Sequence, residues 1–412
     1  MEDRWTCNTT AAAIDRNVDA GCGGRLALRW LGPELDRRDY RYEDLHRESR
    51  RFAGVLRDAG IGPGRTVAVC THRTPELYVA ALGIWRSGCR FCPLFAAFGR
   101  EPLFYRLKAA GAAALVTHRR LYESILAQIR PRLPDLRIVF LTDLKPGEPA
   151  DPGVRSFSGA MAAATLHDGP PVTAAEDAAT LHFTSGTTGM PKGAIHVHQA
   201  VRDLYQTAAE VFDFRPGDVF WCTADPGWVT GTAYGLIAPL LHGVTTLIDS
   251  QEFDVGRWLR ILEDERVSVW YTSPSAIRRL MGAMQTPRRF PALRWIGSVG
   301  EPLPAAAVHW ALRVLGRPIY DTWWQTETGS IRISTAAASE VRAGAMGIPL
   351  SGVTAGVFRR LGRRRIEAEA PLRPPARDGV TRRIRGPVPA RERSPGARDW
   401  RRRRRRVRRR RL

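Results

Sequence analysis

Lysine is almost absent from this chain: among 63 Lys+Arg there are three, Lys108, Lys145 and Lys192. Composition has moved nearly every basic position to arginine, so a lysine that stays one suggests a site requirement. A compact ammonium and a planar guanidinium fork do not substitute for one another at a phosphate. Cysteine is sparse as well. The six cysteines (Cys7, Cys22, Cys70, Cys89, Cys92 and Cys222) show no paired framework, and Cys89-Arg-Phe-Cys92 has metal or redox spacing without a second Cys/His pair. That pair follows the apolar run Leu77–Trp85, which predicts core thiols. No apolar run approaches the roughly 20 residues of a membrane span. The segment from Met1 is charged and lacks the apolar stretch of a signal peptide. These absences predict a cytoplasmic protein with no membrane partner.

Acidic residues are missing chiefly from one end. The formal charge of +22 suggests nucleic acid at first sight, but residues 359–412 hold 23 Arg against 5 Asp+Glu and account for +18 of it. The preceding residues carry only +4, an ordinary balance. The tail has few apolar residues to bury, so disorder is the expectation. Its Arg, Pro, Ala and Gly are the residues of GC-rich codons, which points to a shifted reading frame or a degenerated end. The rival reading, a nucleic-acid arm acting non-specifically through 359–412, lacks interleaved aromatics or a basic fold motif.

What is present is a hydroxyl- and glycine-rich loop ending in the last lysine: Thr184-Ser185-Gly186-Thr187-Thr188-Gly189-Met190-Pro191-Lys192. Thr184, Ser185, Thr187 and Thr188 supply hydroxyl donors, and Gly186 and Gly189 let backbone N–H groups approach an anion. A nucleotide polyphosphate cradle fits this pattern. It is not a Walker A loop, because Lys192 stands between Pro191 and Gly193. The alternative is a surface turn between two strands. Ala178–Phe183 reads as a buried strand feeding the loop and Gly193–His198 as the strand leaving it. His182, His196 and His198 flank it, and His196-Val-His198 puts two imidazoles on one strand face. No third ligand is evident, so structural roles are expected.

Elsewhere helical and strand patterns alternate. Helices are predicted from Tyr40 through Leu56 and over Glu76–Arg86, Pro102–Ala110, Tyr234–His242, Val255–Glu263 and Ala305–Leu315. Strands are predicted over Thr66–Cys70, Arg90–Leu94, Ala114–Thr117, Arg137–Leu141, Asp218–Thr223, Thr245–Leu247, Ser268–Tyr271 and Arg294–Ser298. Such alternation predicts parallel sheets covered on both faces.

The loop resembles the signature of AMP-forming, adenylating acyl-CoA synthetases. Four further segments, in order, are similar to the acetyl-CoA synthetase branch: Trp221–Gly231, Trp270–Arg278, Ser298–Pro302 and Asp321–Gly329. The resemblance runs from about Asn8 to about Gly356. It implies an α/β fold, two doubly wound subdomains of an adenylate-forming N-terminal domain with an incomplete small β-barrel. The expected organisation is a weakly patterned segment 1–39, a first α/β subdomain 40–170 and a second one 171–335 carrying the phosphate loop and pockets. The start of the barrel would occupy 336–358 and the Arg/Pro-rich tail 359–412.

The resemblance also implies ATP, Mg²⁺ and CoA, with acetate or another short carboxylic acid as substrate. Lys192, Thr326 and Glu327 would be catalytic, with Glu327 positioning the metal and Thr326 donating to a phosphate oxygen. Thr184 to Gly189 and Lys192 would hold the triphosphate. Gly300, Glu301 and Pro302 would flank the adenine together with Asp321, Thr322, Trp323, Trp324, Gln325 and Thr326. Val229, Thr230, Val299 and Trp324 would form the acyl pocket. The family also brings a lysine from a C-terminal domain to the α-phosphate, and here no lysine follows Lys192. The resemblance therefore implies a severely slowed first half-reaction, with a non-catalytic nucleotide-binding remnant as the alternative.

Overall fold

Short runs buried at every position, Thr66–Cys70, Ala112–Thr117, Ile138–Leu141, Val269–Thr272 and Trp295–Ser298, form the centres of two sheets. Strands covered on both faces need this unbroken apolar character. The computed structural model describes residues 8–167, 173–184, 190–338 and 340–360, together with the strands Ile366–Leu372 and Arg383–Ile384; for 357–360 and these two strands it describes the backbone.

The first sheet has seven strands in the order Val154–Ser156, Ile138–Leu141, Ala112–Thr117, Thr66–Cys70, Arg90–Pro93, Ala178–Thr184, Lys192–Val197. All pairs are parallel except the last, an antiparallel hairpin. The second has nine strands: Ile348–Pro349, Ile333–Ser334, Tyr320–Trp323, Trp295–Ser298, Val269–Thr272, Val219–Cys222, Thr245–Asp249, Leu26–Leu31 and Arg37–Arg41. Its centre is parallel and its edges are antiparallel. This is the expected α/β class, with helices such as Tyr42–Asp58, Pro75–Arg86, Val201–Phe212 and Ala305–Val314 interleaved.

Three differences from the sequence reading concern how segments pair. The hairpin on either side of the hydroxyl- and glycine-rich loop, expected in the second α/β unit, belongs to the first sheet, where Phe91 is the partner of Thr180. The buried Trp85 indole fixes it there, its Nε1–H lying 3.1 Å from both Ala179 O and Thr180 Oγ1. Residues before Tyr40, read as weakly patterned, supply Leu26–Leu31 and most of Arg37–Arg41 in the second sheet, and the helix expected from Tyr40 begins at Tyr42. Leu26–Leu31 pairs in parallel with Thr245–Asp249, a partner too distant in sequence for local patterning to reveal. The third difference lies in the tail. Ala355–Arg360 and Ile366–Leu372 form an antiparallel hairpin, and Arg383–Ile384 pairs with Glu340–Val341. An average over the whole tail hid Ile366–Leu372, which contains no arginine. The disorder expected for the other tail residues lies outside the described residues. No closed barrel forms among the described residues.

Cys89 and Cys92 are fully buried, as core thiols should be. Burial pushes the Cys92 thiol up to about 12, and Cys89 Sγ lies 3.0 Å from Gly62 O.

Trp85 joins helix Pro75–Arg86 to the strand that leads into the loop. Trp85→Ala should destabilise the fold by about 3–5 kcal/mol through the cavity it leaves. A urea titration followed by far-UV circular dichroism measures this, and an unchanged midpoint would refute the assigned role.

Candidate functional site

The loops beyond the carboxyl ends of parallel strands are where open α/β sheets bind ligands. In the nine-stranded sheet four such loops converge: Thr223–Thr230, Ser273, Val299–Glu301 and Trp324–Glu327. The hairpin of the seven-stranded sheet faces them with Thr184 and Lys192. Two adjoining cavities result, of about 460 and 670 Å³, which share Trp228, Val229, Gln325 and Thr326. The sheets meet closely here. A side chain at Gly227 would come within 2.6 Å of the Phe95 backbone nitrogen, so only glycine lets that loop approach.

The smaller cavity is lined by Thr184 and Lys192 on one wall and by Thr326 and Glu327 on the other. Antiparallel register pairs Thr184 with Lys192 and His182 with Ala194, which puts His182 on the Lys192 face of the hairpin. Ser185, Gly186, Thr187, Thr188 and Gly189 lie outside the described residues. Lys192 and Glu327 are both exposed to the cavity mouth. His182 is buried, and burial, reinforced by the neighbouring His196 ring, holds its pKa down at about 3, so it is neutral at pH 7. His196 is also lowered by burial, and its Nε2 lies 2.8 Å from Thr326 O. His198 turns away from the site, with Nδ1 3.1 Å from Thr9 N and 3.0 Å from Thr9 Oγ1.

The larger cavity is lined by Val229, Thr230, Val299 and Trp324, with Gly300 and Glu301 at its side. Trp324 is held edge-on by Tyr234, with ring centroids 5.1 Å apart at 81°. The Tyr234 hydroxyl is in turn fixed by Thr207 Oγ1 and the Ile331 N–H, each at 2.8 Å. Glu301 is not a free acid, because Ser275 Oγ at 2.8 Å and an Arg278 guanidinium nitrogen at 2.7 Å donate to its Oε2.

The expected residues Pro302, Asp321, Thr322 and Trp323 line neither cavity. Asp321 and Thr322 lie buried beneath the second one, where Thr322 Oγ1 meets Ser298 O at 2.8 Å and the Tyr271 hydroxyl at 2.6 Å. They support the loop from below. Sequence reasoning missed His182, Gly227, Trp228 and Ser273 as lining residues. The last three already stood inside the segments Trp221–Gly231 and Trp270–Arg278, and His182 lacked any signal beyond its position before the loop.

Among the described residues no group of three or more His, Cys, Asp or Glu could cage a metal. Glu327 alone, across a cavity from Lys192, fits a magnesium ion that arrives on phosphates, since such ions take only one or two protein carboxylates.

Comparison with known proteins bears on this geometry. The AMP-binding enzyme family matches residues 14–368, beyond Gly356 where the sequence reading ended the resemblance. Acetyl-coenzyme A synthetase of Bacillus subtilis (strain 168) is 37% identical over 356 residues, 85% of this chain and 61% of the relative. That of Stutzerimonas stutzeri (strain A1501) is 33% identical, covering 87% of this chain and 58% of its own length. The crystal structure of a Brucella canis acyl-CoA synthetase superposes with a TM-score of 0.78 at 32% identity, over 85% of this chain and 63% of that one. The chain thus spans about three fifths of the length of the relatives it matches.

Burial raises the Asp321 carboxyl from 3.8 to about 6, against opposing hydrogen bonds such as that from the Thr322 N–H. The folded chain then keeps a proton that the unfolded chain releases at lower pH, so stability falls as pH rises through that window and stays reduced above it. Asp321→Asn should therefore raise Tm at about pH 8 and change it little at about pH 4. A difference that is flat across this range in thermal melts would refute the shift.

Proposed function

The chain belongs to the AMP-binding enzyme family, and from that premise we propose that its site activates acetate or a similarly short carboxylic acid with ATP, giving an acyl-adenylate and pyrophosphate, and then passes the acyl group to the thiol of CoA with release of AMP. We place this activity in the cytoplasm; among the described residues no helix is long and apolar enough to cross a membrane. The observation that carries the reading is the adjoining of the two cavities. One has Lys192 and Glu327 in its lining, and the other has Trp324 beside Val229, Thr230 and Val299.

In the first step a carboxylate oxygen bonds to the α-phosphorus while the bond to the pyrophosphate oxygen breaks. A carboxylic acid is already ionised near pH 7, so no general base is required. The site has to orient two anions and offset their charge. Lys192 supplies a positive charge beside the phosphates, and the hydroxyls of Thr184 and Thr326 donate hydrogen bonds from opposite walls. Glu327 would hold Mg²⁺, which supplies charge neutralisation to the phosphate oxygens. The buried neutral His182 adds no charge of its own beside the phosphates. On the acyl side Val229, Thr230 and Val299 give an apolar wall, and the Trp324 indole fills the volume a longer chain would need.

Acetate-dependent ATP–pyrophosphate exchange tests the reading directly. It should be present in the chain and fall at least about 100-fold in Lys192→Ala, the scale for losing a group that stabilises developing charge. A folded chain that binds ATP but catalyses no exchange would leave nucleotide binding alone as its function.

Pocket length follows from Trp324. Trp324→Gly should extend acceptance toward longer acids, with each methylene accommodated worth about 1–3 kcal/mol in kcat/KM. Unchanged chain-length preference in a competent enzyme would remove Trp324 from the acyl pocket.

A further inference from the structure

The cavity assigned to the phosphates has walls from two different sheets, so its width depends on what fastens the hairpin to the opposite loop. Lys192 begins the strand Lys192–Val197 of the seven-stranded sheet. Thr326 and Glu327 follow the strand Tyr320–Trp323 of the nine-stranded sheet. Side chains on a strand alternate, which puts Lys192, Ala194 and His196 on one face. From that face His196 crosses to the other sheet, where its Nε2 lies 2.8 Å from the carbonyl oxygen of Thr326, a residue 130 positions away.

A carbonyl only accepts, so Nε2 carries the proton and donates. Gly329 sits beside the same ring: its φ of +72° favours glycine, and a Cβ added there would stand 3.7 Å from Cε1 and Nε2. The loop thus meets the imidazole at Thr326, with the open face of Gly329 beside the ring. It is also closed on itself, because Thr328 Oγ1 lies 3.0 Å from both the nitrogen and the oxygen of Gln325. A loop so closed moves as a unit, and a tie at Thr326 fixes Glu327 as well.

We propose that His196 is a positioning residue for nucleotide binding, whose Nε2–H···O=C bond to Thr326 sets the separation between Lys192 and Glu327. It touches neither substrate nor metal. Its effect falls on ligands that must engage both walls at once, which means a magnesium-bound triphosphate. AMP, which lacks the β- and γ-phosphates, depends on it far less. The inference rests on the nucleotide reading of this cavity given above.

Calorimetric titration of the full chain with ATP, with and without magnesium, and with AMP, tests it. His196→Leu should weaken magnesium-ATP binding about tenfold, the loss of one well-placed hydrogen bond, while AMP affinity changes less than about twofold. The gain that magnesium gives to ATP binding should shrink in step. His196→Gln, whose amide reaches about as far as Nε2, should recover most of the loss. His196→Asn is polar but too short and should resemble His196→Leu, and it replaces that variant if the apolar one does not fold. Equal weakening of ATP and AMP, or no recovery in His196→Gln, would make His196 a packing residue and overturn the proposal. Absence of magnesium-dependent ATP binding in the unsubstituted chain would overturn the nucleotide reading and this inference together. Tight binding there with no effect of His196→Leu would overturn this inference alone.

Discussion

The hairpin Ala178–Thr184 and Lys192–Val197 is the constraint on which the site depends. It is built into one sheet and closes a cavity against the other. Trp85 fastens its first strand through the carbonyl of Ala179 and the hydroxyl of Thr180. The start of the chain fastens its far end, where Thr9 meets His198 and Asn8 Nδ2 donates to Trp85 O at 2.6 Å. Each bond is ordinary in strength, but each is buried, so losing a partner would leave a desolvated polar atom. Lys192 therefore projects from a rigid base toward the loop that carries Glu327.

Charge at the site is arranged by subtraction. Glu301 is tied to Ser275 and Arg278, Asp321 is buried with a raised pKa, and His182 and His196 are held toward neutrality. Lys192 and Glu327 are then the charged side chains among the described residues that line the smaller cavity. One positive and one negative group on opposite walls suit a ligand that is anionic and carries its own cation. In a chain where arginine has replaced nearly every lysine, a lysine at that point has a physical reason: an ammonium is a compact charge that fits where a guanidinium fork does not.

Much of the central fold was legible as pattern. Thr66–Cys70 and Ala305–Val314 lie within a residue of the segments expected, because an unbroken apolar run and a helical apolar stripe are local signals. Helix Pro274–Ala283 was not foreseen, although Ser273 caps it and Pro274 begins it, a pairing that marks helix starts. In the site, the lining by Lys192, Thr326, Glu327 and Trp324 followed from motifs. The placement of Asp321 and Thr322 did not, since it depends on contacts with Tyr271, Ser298 and Thr335, which stand outside the motif.

The sequence by itself determined the fold class, the alternation of elements and the chemistry the loops can offer, because each rests on residues near one another in the chain. Tertiary structure decided which sheet the hairpin joins, that Leu26–Leu31 lies beside Thr245–Asp249, and that His196 reaches Thr326. Those facts depend on strand order and on contacts between sheets. Many partners compete for each strand edge, and no local pattern along one segment records which one packing will select.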